Sequence, residues 1–346
     1  MPRIAPFTAL VYDTDVAGPL EGLTARPYDV INEAGRQDYV ARSPYNVVRV
    51  DLASDPLAPP AARYAASQQV LRDWTSTGVL RREPLGYVAY EMSTSGPGAV
   101  PAVRGVLCAL HLEAWGGAIL PHEDVMDGPV ADRLELLRAT RTNLSAIYGT
   151  VPGPHAELAD LLSGICATPA QGEVTDQEGV RHRTWPIPPD TPVSTWLADD
   201  HLLIADGHHR YTTALAYRDE RHRADGPGPW DRVLALVVDA GTQDVPVLPY
   251  HRVQRTGMAL GGGTLVDDLA TLFAGLDDVA VRIGSVTRGP AGELRWRLHD
   301  LHGDPPAVRA LHEAHLDAAA PAQASSFTHV AADAVEAVRS GEVVGA

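Results

Sequence analysis

The sequence predicts an α/β (or α+β) protein built on a mixed sheet, and three observations carry that expectation. Short apolar runs rich in β-formers, such as LGYVAYEM and VRGVLCALHLE, recur along the chain and have the length of buried strands. Between them stand segments with helical spacing of apolar residues, of which Leu158, Leu161, Leu162 and Ile165 form a clear stripe. Finally, the run Leu202 to Ala205 passes through Asp206 and Gly207 into a helical pattern that starts at Tyr211 and continues through Ala214, Leu215 and Tyr217. That is a strand-to-helix junction.

In chain order, FTALVY reads as a strand, ARPYDVINEAG as a turn and YNVVRVDL as a second strand. A helix follows, its core face including Tyr64, Val70, Leu71 and Trp74. LGYVAYEM and VRGVLCALHLE come next as strands. A loop around Pro121 to Pro129 then leads to a helix from about Ala131 that carries Leu134, Leu137 and, near its end, Leu144. PHAELADLLSGICA is another helix. After the junction, RVLALVVDA and VPVLPYHRV are strands, and GMALGGGTLVDDLATLF is a glycine-rich hinge into a helix. This hinge lacks the G-x-G-x-x-G spacing of a dinucleotide loop. The tail alternates the strands VAVRIG and ELRWRLHD with helices at AVRALHEAHLD and HVAADAVEAVRSG. Two regions are expected, 1–256 with the junction and 257–346 as a smaller α/β region.

With 346 residues, 45% of them hydrophobic, the chain has enough apolar surface for one large core or several smaller ones. The formal net charge of −16 argues against nucleic acid or an anionic membrane as a partner, because phosphate neutralisation needs a basic surface. No apolar run reaches the roughly 18 residues of a membrane span. The opening MPRIAPFTALVYDTD has no long hydrophobic segment and no cleavage signal, so a cytoplasmic protein is expected. Cys108 and Cys166 lie in apolar surroundings and are expected to be buried thiols. All 28 basic residues are arginine. The absence of lysine excludes Walker-type P-loop chemistry, the lysine of the protein-kinase fold and Schiff-base catalysis.

Three polar clusters interrupt the apolar patterning: RPYDV with Arg26, Tyr28 and Asp29; PHED with His122, Glu123 and Asp124; and DGHHR with Asp206, Gly207, His208, His209 and Arg210. Taken singly each is a weak signal: Asp29 reads as a turn cap, PHED as a solvated loop, and the two histidines of DGHHR as structural. The third sits where a helix begins. There the first N–H groups lie outside the intrahelical ladder, the macrodipole is positive and glycine lets an anion approach the backbone. Arg210 adds a forked, permanent cation suited to phosphate or carboxylate. Together the clusters supply an acid, a base and an anion cradle, the parts for transferring a charged group to a hydroxyl. His208 and His209 are adjacent, so on a helix their side chains diverge by about 100°. One is expected to face a phosphate and the other to pack or donate to backbone, with Mg²⁺ held mainly by phosphate oxygens and by Asp206. A metal hydrolase is the alternative and needs a stoichiometric transition metal.

At DGHHR the sequence resembles the free-serine kinases of the ParB/sulfiredoxin-like superfamily. It is more closely similar to a bacterial family, defined as a domain of unknown function, that shares this motif. The resemblance covers most of residues 1–256 and runs through APF, PYDVI, SPYNVVRVDL, LPHE, DRLELLRATRTNLSAIYG, ADGHHRYTTALAYR and LPYHR. It implies a ParB/sulfiredoxin-like nucleotide-binding core and phosphoryl transfer from ATP or ADP, with Mg²⁺, to the hydroxyl of free L-serine. It further implies Glu123 as general base, with Asp206 and His209 beside it in the catalytic set and Asp206 orienting the metal. Gly207, His208 and Arg210 would hold the nucleotide phosphates, with Arg26 replacing lost charge, while Tyr28, Asp29 and His122 would contact the amino acid. A small amino acid and a nucleotide are therefore the expected partners, and a homodimer is an open option. The chain departs from the family at Thr212, Asp124, Val125 and Val130, where relatives carry an acid, a basic residue, threonine and lysine, and it reads GEVVGA where relatives continue into Met-Pro-x-Lys-Ser-Thr. Those departures leave a second reading open, a nucleotide-binding switch that phosphorylates no amino acid.

Overall fold

Burial at period two sets the faces of the main sheet: Tyr87, Ala89 and Glu91 are buried, while Val88, Tyr90 and Met92 between them are half-buried. The computed structural model describes residues 2–52, 58–94, 101–121, 127–245, 251–255, 262–276, 282–300, 325–328 and 331–346. Two compact units divide between Val245 and Pro246. The strands of the first are β1 (Ile4–Ala5), β2 (Leu10–Tyr12), β3 (Leu80–Arg82), β4 (Tyr87–Ser93), β5 (Val103–His111), β6 (Ile119–Leu120), β7 (Ile147–Val151), β8 (Gly172–Thr175), β9 (Arg181–Ile187), β10 (Leu202–Asp206) and β11 (Arg232–Asp239). Nine of them form one sheet in the order β6-β10-β7-β11-β5-β4-β9-β8, with β1 on β5. β10 runs parallel to β6 and β11 parallel to β7, whereas the other neighbours are antiparallel. The protein is thus mixed α/β with a large mixed sheet.

Register decides which side chains enter the core. Val233, Ala235 and Val237 of β11 lie opposite Leu110, Cys108 and Val106 of β5, and all six are buried. Leu158 and Leu162 of the Ala156–Cys166 helix and Tyr211 and Ala214 of the His208–Asp225 helix pack in the same core. Each large aliphatic side chain buried there contributes about 1.5–3 kcal/mol. Both cysteines are buried and free, and burial raises the pKa of each thiol. A satellite core gathers Leu23, Val50, Trp74 and Val79, with Leu144 packed on it.

The structure corrects two local expectations. YNVVRVDL is not a strand: Val48–Asp51 is a helical turn. Asn46 is fully buried, donates to the Gly22 and Thr24 carbonyls at 2.8 and 2.9 Å, and accepts from the Val48 amide at 3.0 Å. That side chain replaces the ladder bonds a strand would need. The helix expected from Ala131 spans Asp127–Thr140 and ends before Leu144, because the backbone turns left-handed at Arg141, φ 52°. The following residues then form β7, in the middle of the sheet.

In the second unit, β13 (Thr264–Val266), β15 (Leu294–Asp300) and β14 (Arg282–Arg288) form an antiparallel sheet in that order, while β12 (His251–Gln254) pairs with β16 (Ser325–Thr328). Val253, Trp296 and Val286 pack with Val335 and Val338 of the Ala331–Ser340 helix. VPVLPYHRV, which the sequence places in the first region, therefore contributes its strand to the second unit. The expected helix at AVRALHEAHLD lies outside the described residues. Among the described residues, no helix is long and apolar enough to cross a membrane.

Candidate functional site

The loaded junction folds as its residue types dictate. β10 ends at Asp206 after a bulge that shifts its register against β7. Gly207 then takes φ 94°, ψ 28° and opens the His208–Asp225 helix. A left-handed turn here needs glycine for a second reason. A Cβ would come within 3.1 Å of the Arg210 guanidinium carbon and of Ile147 Cγ2. Arg210 folds back over the turn, donating through Nη2 to Asp206 Oδ2 and through Nη1 to the Ala146 carbonyl. Its side chain is 20% exposed, whereas that of Asp206 is 65% exposed. The guanidinium is therefore fixed in place between β10 and the start of β7.

Arg210 borders a cleft with Tyr28, Asp51, Arg133, Asn143, Ser145 and Thr213. The cleft has a volume of about 60 Å³, room for a phosphate-sized group and well below the roughly 300–1,000 Å³ of a complete small-molecule pocket. Arg133 is its electrostatic centre. It donates to Asp51 Oδ1 at 2.9 Å, to Asp132 Oδ2 at 2.7 Å and to the Tyr64 hydroxyl at 3.3 Å. Its guanidinium lies 4.1 Å from the centre of the Tyr28 ring, a cation–π distance. Burial alone would lower the pKa of Arg133, but Asp51, Asp132 and Tyr64 outweigh it and hold the pKa above its ordinary value. Burial pushes the Asp132 carboxyl up, yet hydrogen bonds from Tyr64 and Arg133 hold it below the usual range. The Tyr64 phenol donates to Asp132 at 2.6 Å and is pushed up to about 12, first by burial and then by that bond.

The two histidines separate as their adjacency predicts. His208 is 1% exposed and its ring stacks on Trp115, centroids 6.0 Å apart at 16°. Trp115 also meets Tyr211 at 4.5 Å, and the Tyr211 hydroxyl donates to the Glu113 carbonyl at 2.8 Å. His208 thus packs, and the half-buried His209 is the one nearer the surface. Among the described residues, no three His, Cys, Asp or Glu side chains are grouped to hold a metal ion.

Of the residues singled out from the sequence, the structure brings Tyr28 and Arg210 to one cleft, with Asp206 and Gly207 at its margin through Arg210. Arg26 lies elsewhere: about half exposed, it forms an ion pair with Glu178 in the turn between β8 and β9. His122, Glu123 and the side chain of Asp29 lie outside the described residues. Sequence reasoning missed Asp51, Tyr64, Asp132 and Arg133. It reads Asp51 within the strand YNVVRVDL and Tyr64 on the core face of a helix, and the Asp-Arg pair opening DRLELLRATRTNLSAIYG carries no mark of a buried ion pair.

No curated protein and no solved structure matches the chain. The family described as "Protein of unknown function (DUF1015)" matches residues 4–334. That span covers most of both compact units, and the chain belongs to this family.

Proposed function

We propose that this protein transfers a phosphoryl group from ATP or ADP to the hydroxyl of a small amino acid, with free L-serine as the first candidate and O-phosphoserine as the product. One observation carries the reading: Arg210, anchored on a glycine-initiated helix start, borders the same cleft as Tyr28 and the buried Arg133. An oxyanion entering that cleft would meet the guanidinium of Arg210, in the first turn of its helix, and that of Arg133, which is already paired with Asp51 and Asp132; the two cations suit the charge on a transferring phosphoryl group. The reading assigns the main sheet and its junction to a ParB/sulfiredoxin-like core. It gives the phosphate-facing role to His209 and leaves His208 to support the helix start against Trp115.

In this reaction the serine hydroxyl oxygen bonds to the terminal phosphorus, and the bond from that phosphorus to the bridging oxygen breaks. Glu123 takes the hydroxyl proton, and the shortened nucleotide leaves with the electron pair. Mg²⁺ on the donor supplies charge neutralisation. Asp206 would hold it: a carboxylate 65% exposed at the end of β10 fits an ion that keeps several of its own waters.

The test is to incubate protein and Mg²⁺ with L-serine and each of ATP, ADP and CTP, and to follow phosphoserine. The expected result is product that falls by about 10²-fold or more in Glu123→Gln. No phosphoserine with any donor would overturn the reading. The second reading, a nucleotide-binding switch, is favoured by Arg210 already being held by Asp206 and the Ala146 carbonyl. Nucleotide binding or hydrolysis without phosphoserine would support it.

A further inference from the structure

A second cleft adjoins the first, sharing Leu137 and Asn143 with it. It is the roomier of the two, at about 350 Å³, which is small-molecule size. Its chemistry is one-sided. Arg141, Arg221 and Arg232 line it together with Asn143, Tyr217 and Trp230, and no lining residue is acidic. This occurs in a chain whose net charge is −16, so the cleft runs against the charge of the protein as a whole.

The three cations are held differently. Arg221 pairs with Asp225 at 2.8 Å and lies 4.6 Å from the centre of the Trp230 ring, and its buried Nε has no hydrogen-bond partner among the described residues. Arg141 and Arg232 are exposed and have no carboxylate partner among the described residues. Arg141 is also the one non-glycine residue at positive φ among the described residues, and it sits at the helix end where glycine is the cheap choice. A guanidinium kept at a strained position, beside others with which it repels, is a feature that a bound anion would explain.

We infer that this cleft is a binding site for a small phosphorylated molecule carrying two or more negative charges. Arg141 and Arg232 supply the unpaired forks, and Arg221, braced on Trp230, supplies the third cation. The site is distinct from the Arg210 cleft: the two arginines lie on one stripe of the same helix, Arg210, Ala214, Tyr217, Arg221, and eleven residues of helix separate them by about 16 Å. The inference does not depend on the kinase reading.

Titration calorimetry of the full chain with pyrophosphate at low ionic strength tests it. The expected result is a pyrophosphate site that weakens at least about tenfold, or about 1.4 kcal/mol, when Arg141→Gly and Arg232→Ala are combined, and that survives Arg210→Ala. Arg141→Gly removes the cation while relieving the left-handed backbone, so thermal unfolding without ligand should not fall in that single variant. No binding to the wild-type chain, unchanged affinity in the double variant, or loss of all binding in Arg210→Ala alone would each overturn the assignment.

Discussion

Two buried charges in the first unit, Glu91 and Arg133, are neutralised in opposite ways. Glu91 on β4 is 2% exposed and stands directly opposite Arg104 on β5 and Arg183 on β9. Arg104 donates to it at 2.7 Å, Arg183 donates to its other oxygen, and the Arg183 guanidinium lies 4.9 Å from the centre of the Trp185 ring. All of its partners are cross-strand neighbours, set by the register of the sheet. Arg133 instead collects partners from separate segments, Asp51, Tyr64 and Tyr28, and borders a cleft. A charge whose partners are all supplied by sheet register serves the fold. One that ties separate segments together at a cleft can also meet a ligand. Breaking each in turn should therefore separate stability from binding.

Removing the Glu91 charge should have the larger effect on stability. Glu91→Gln keeps the volume but leaves two guanidinium groups without their anion; breaking a fully buried ion pair costs about 3–5 kcal/mol, and because Arg104 and Arg183 are 36% and 21% exposed that range is the upper limit here. Urea unfolding should show that loss, with pyrophosphate affinity at the arginine clefts unchanged in the protein that remains folded. The acid limb gives an independent check. Burial pushes the Glu91 carboxyl up, but Arg183 and Arg104 hold it below its ordinary value. Its contribution is then fully present above the ordinary carboxylate range and is lost as pH falls through the lowered native value. Stability should begin to fall as pH drops below about 5 and go on falling through the lowered native value, and the fall should be shallower in Glu91→Gln. A parallel fall in both proteins would remove Glu91 from the account.

Arg133→Met comes next in size. It preserves much of the stem but strands Asp51 and Asp132, and a hydrogen bond to a charged group is worth about 1.5–3 kcal/mol. Unlike Glu91→Gln, it should also weaken anion binding in the cleft that contains Arg210. A variant that loses stability while binding normally would place Arg133 with Glu91, as a charge that serves the fold alone.

Both clusters show what a linear reading can and cannot reach. Apolar runs rich in β-formers mark β4 and β5, but nothing in LGYVAYEM marks Glu91 as buried. Its partners lie on strands whose order in the sheet is not their order in the chain. The strand at β7 was hidden because Leu144 continues the helical apolar spacing past Thr140, and only the left-handed Arg141 ends the helix. The junction was legible because everything it needs is local: a strand end, a glycine and a cation at the fourth position from an acid. Arg133 was not, because Asp51 and Tyr28 reach it from far along the chain. The Glu178 partner of Arg26 was invisible for the same reason.

The smallest effect compares the two ends of the helix that carries Arg210. Gly207 and Gly226 both have positive φ, 94° and 75°, so alanine is strained at either. The left-handed penalty at Gly207 is about 1–2 kcal/mol, and at Gly226, with ψ −164°, it is of order 1–3 kcal/mol. Their surroundings differ. A Cβ at Gly226 meets nothing within 4 Å, whereas at Gly207 it comes within 3.1 Å of Arg210 Nε and Cζ. Both substitutions should therefore lower the unfolding free energy by a similar small amount, but only Gly207→Ala should displace the guanidinium and weaken oxyanion binding in its cleft. Paired denaturation and titration of the two variants reads this directly. If Gly226→Ala weakens binding as much as Gly207→Ala, helix stability governs affinity, and the close fit of Gly207 against Arg210 does not.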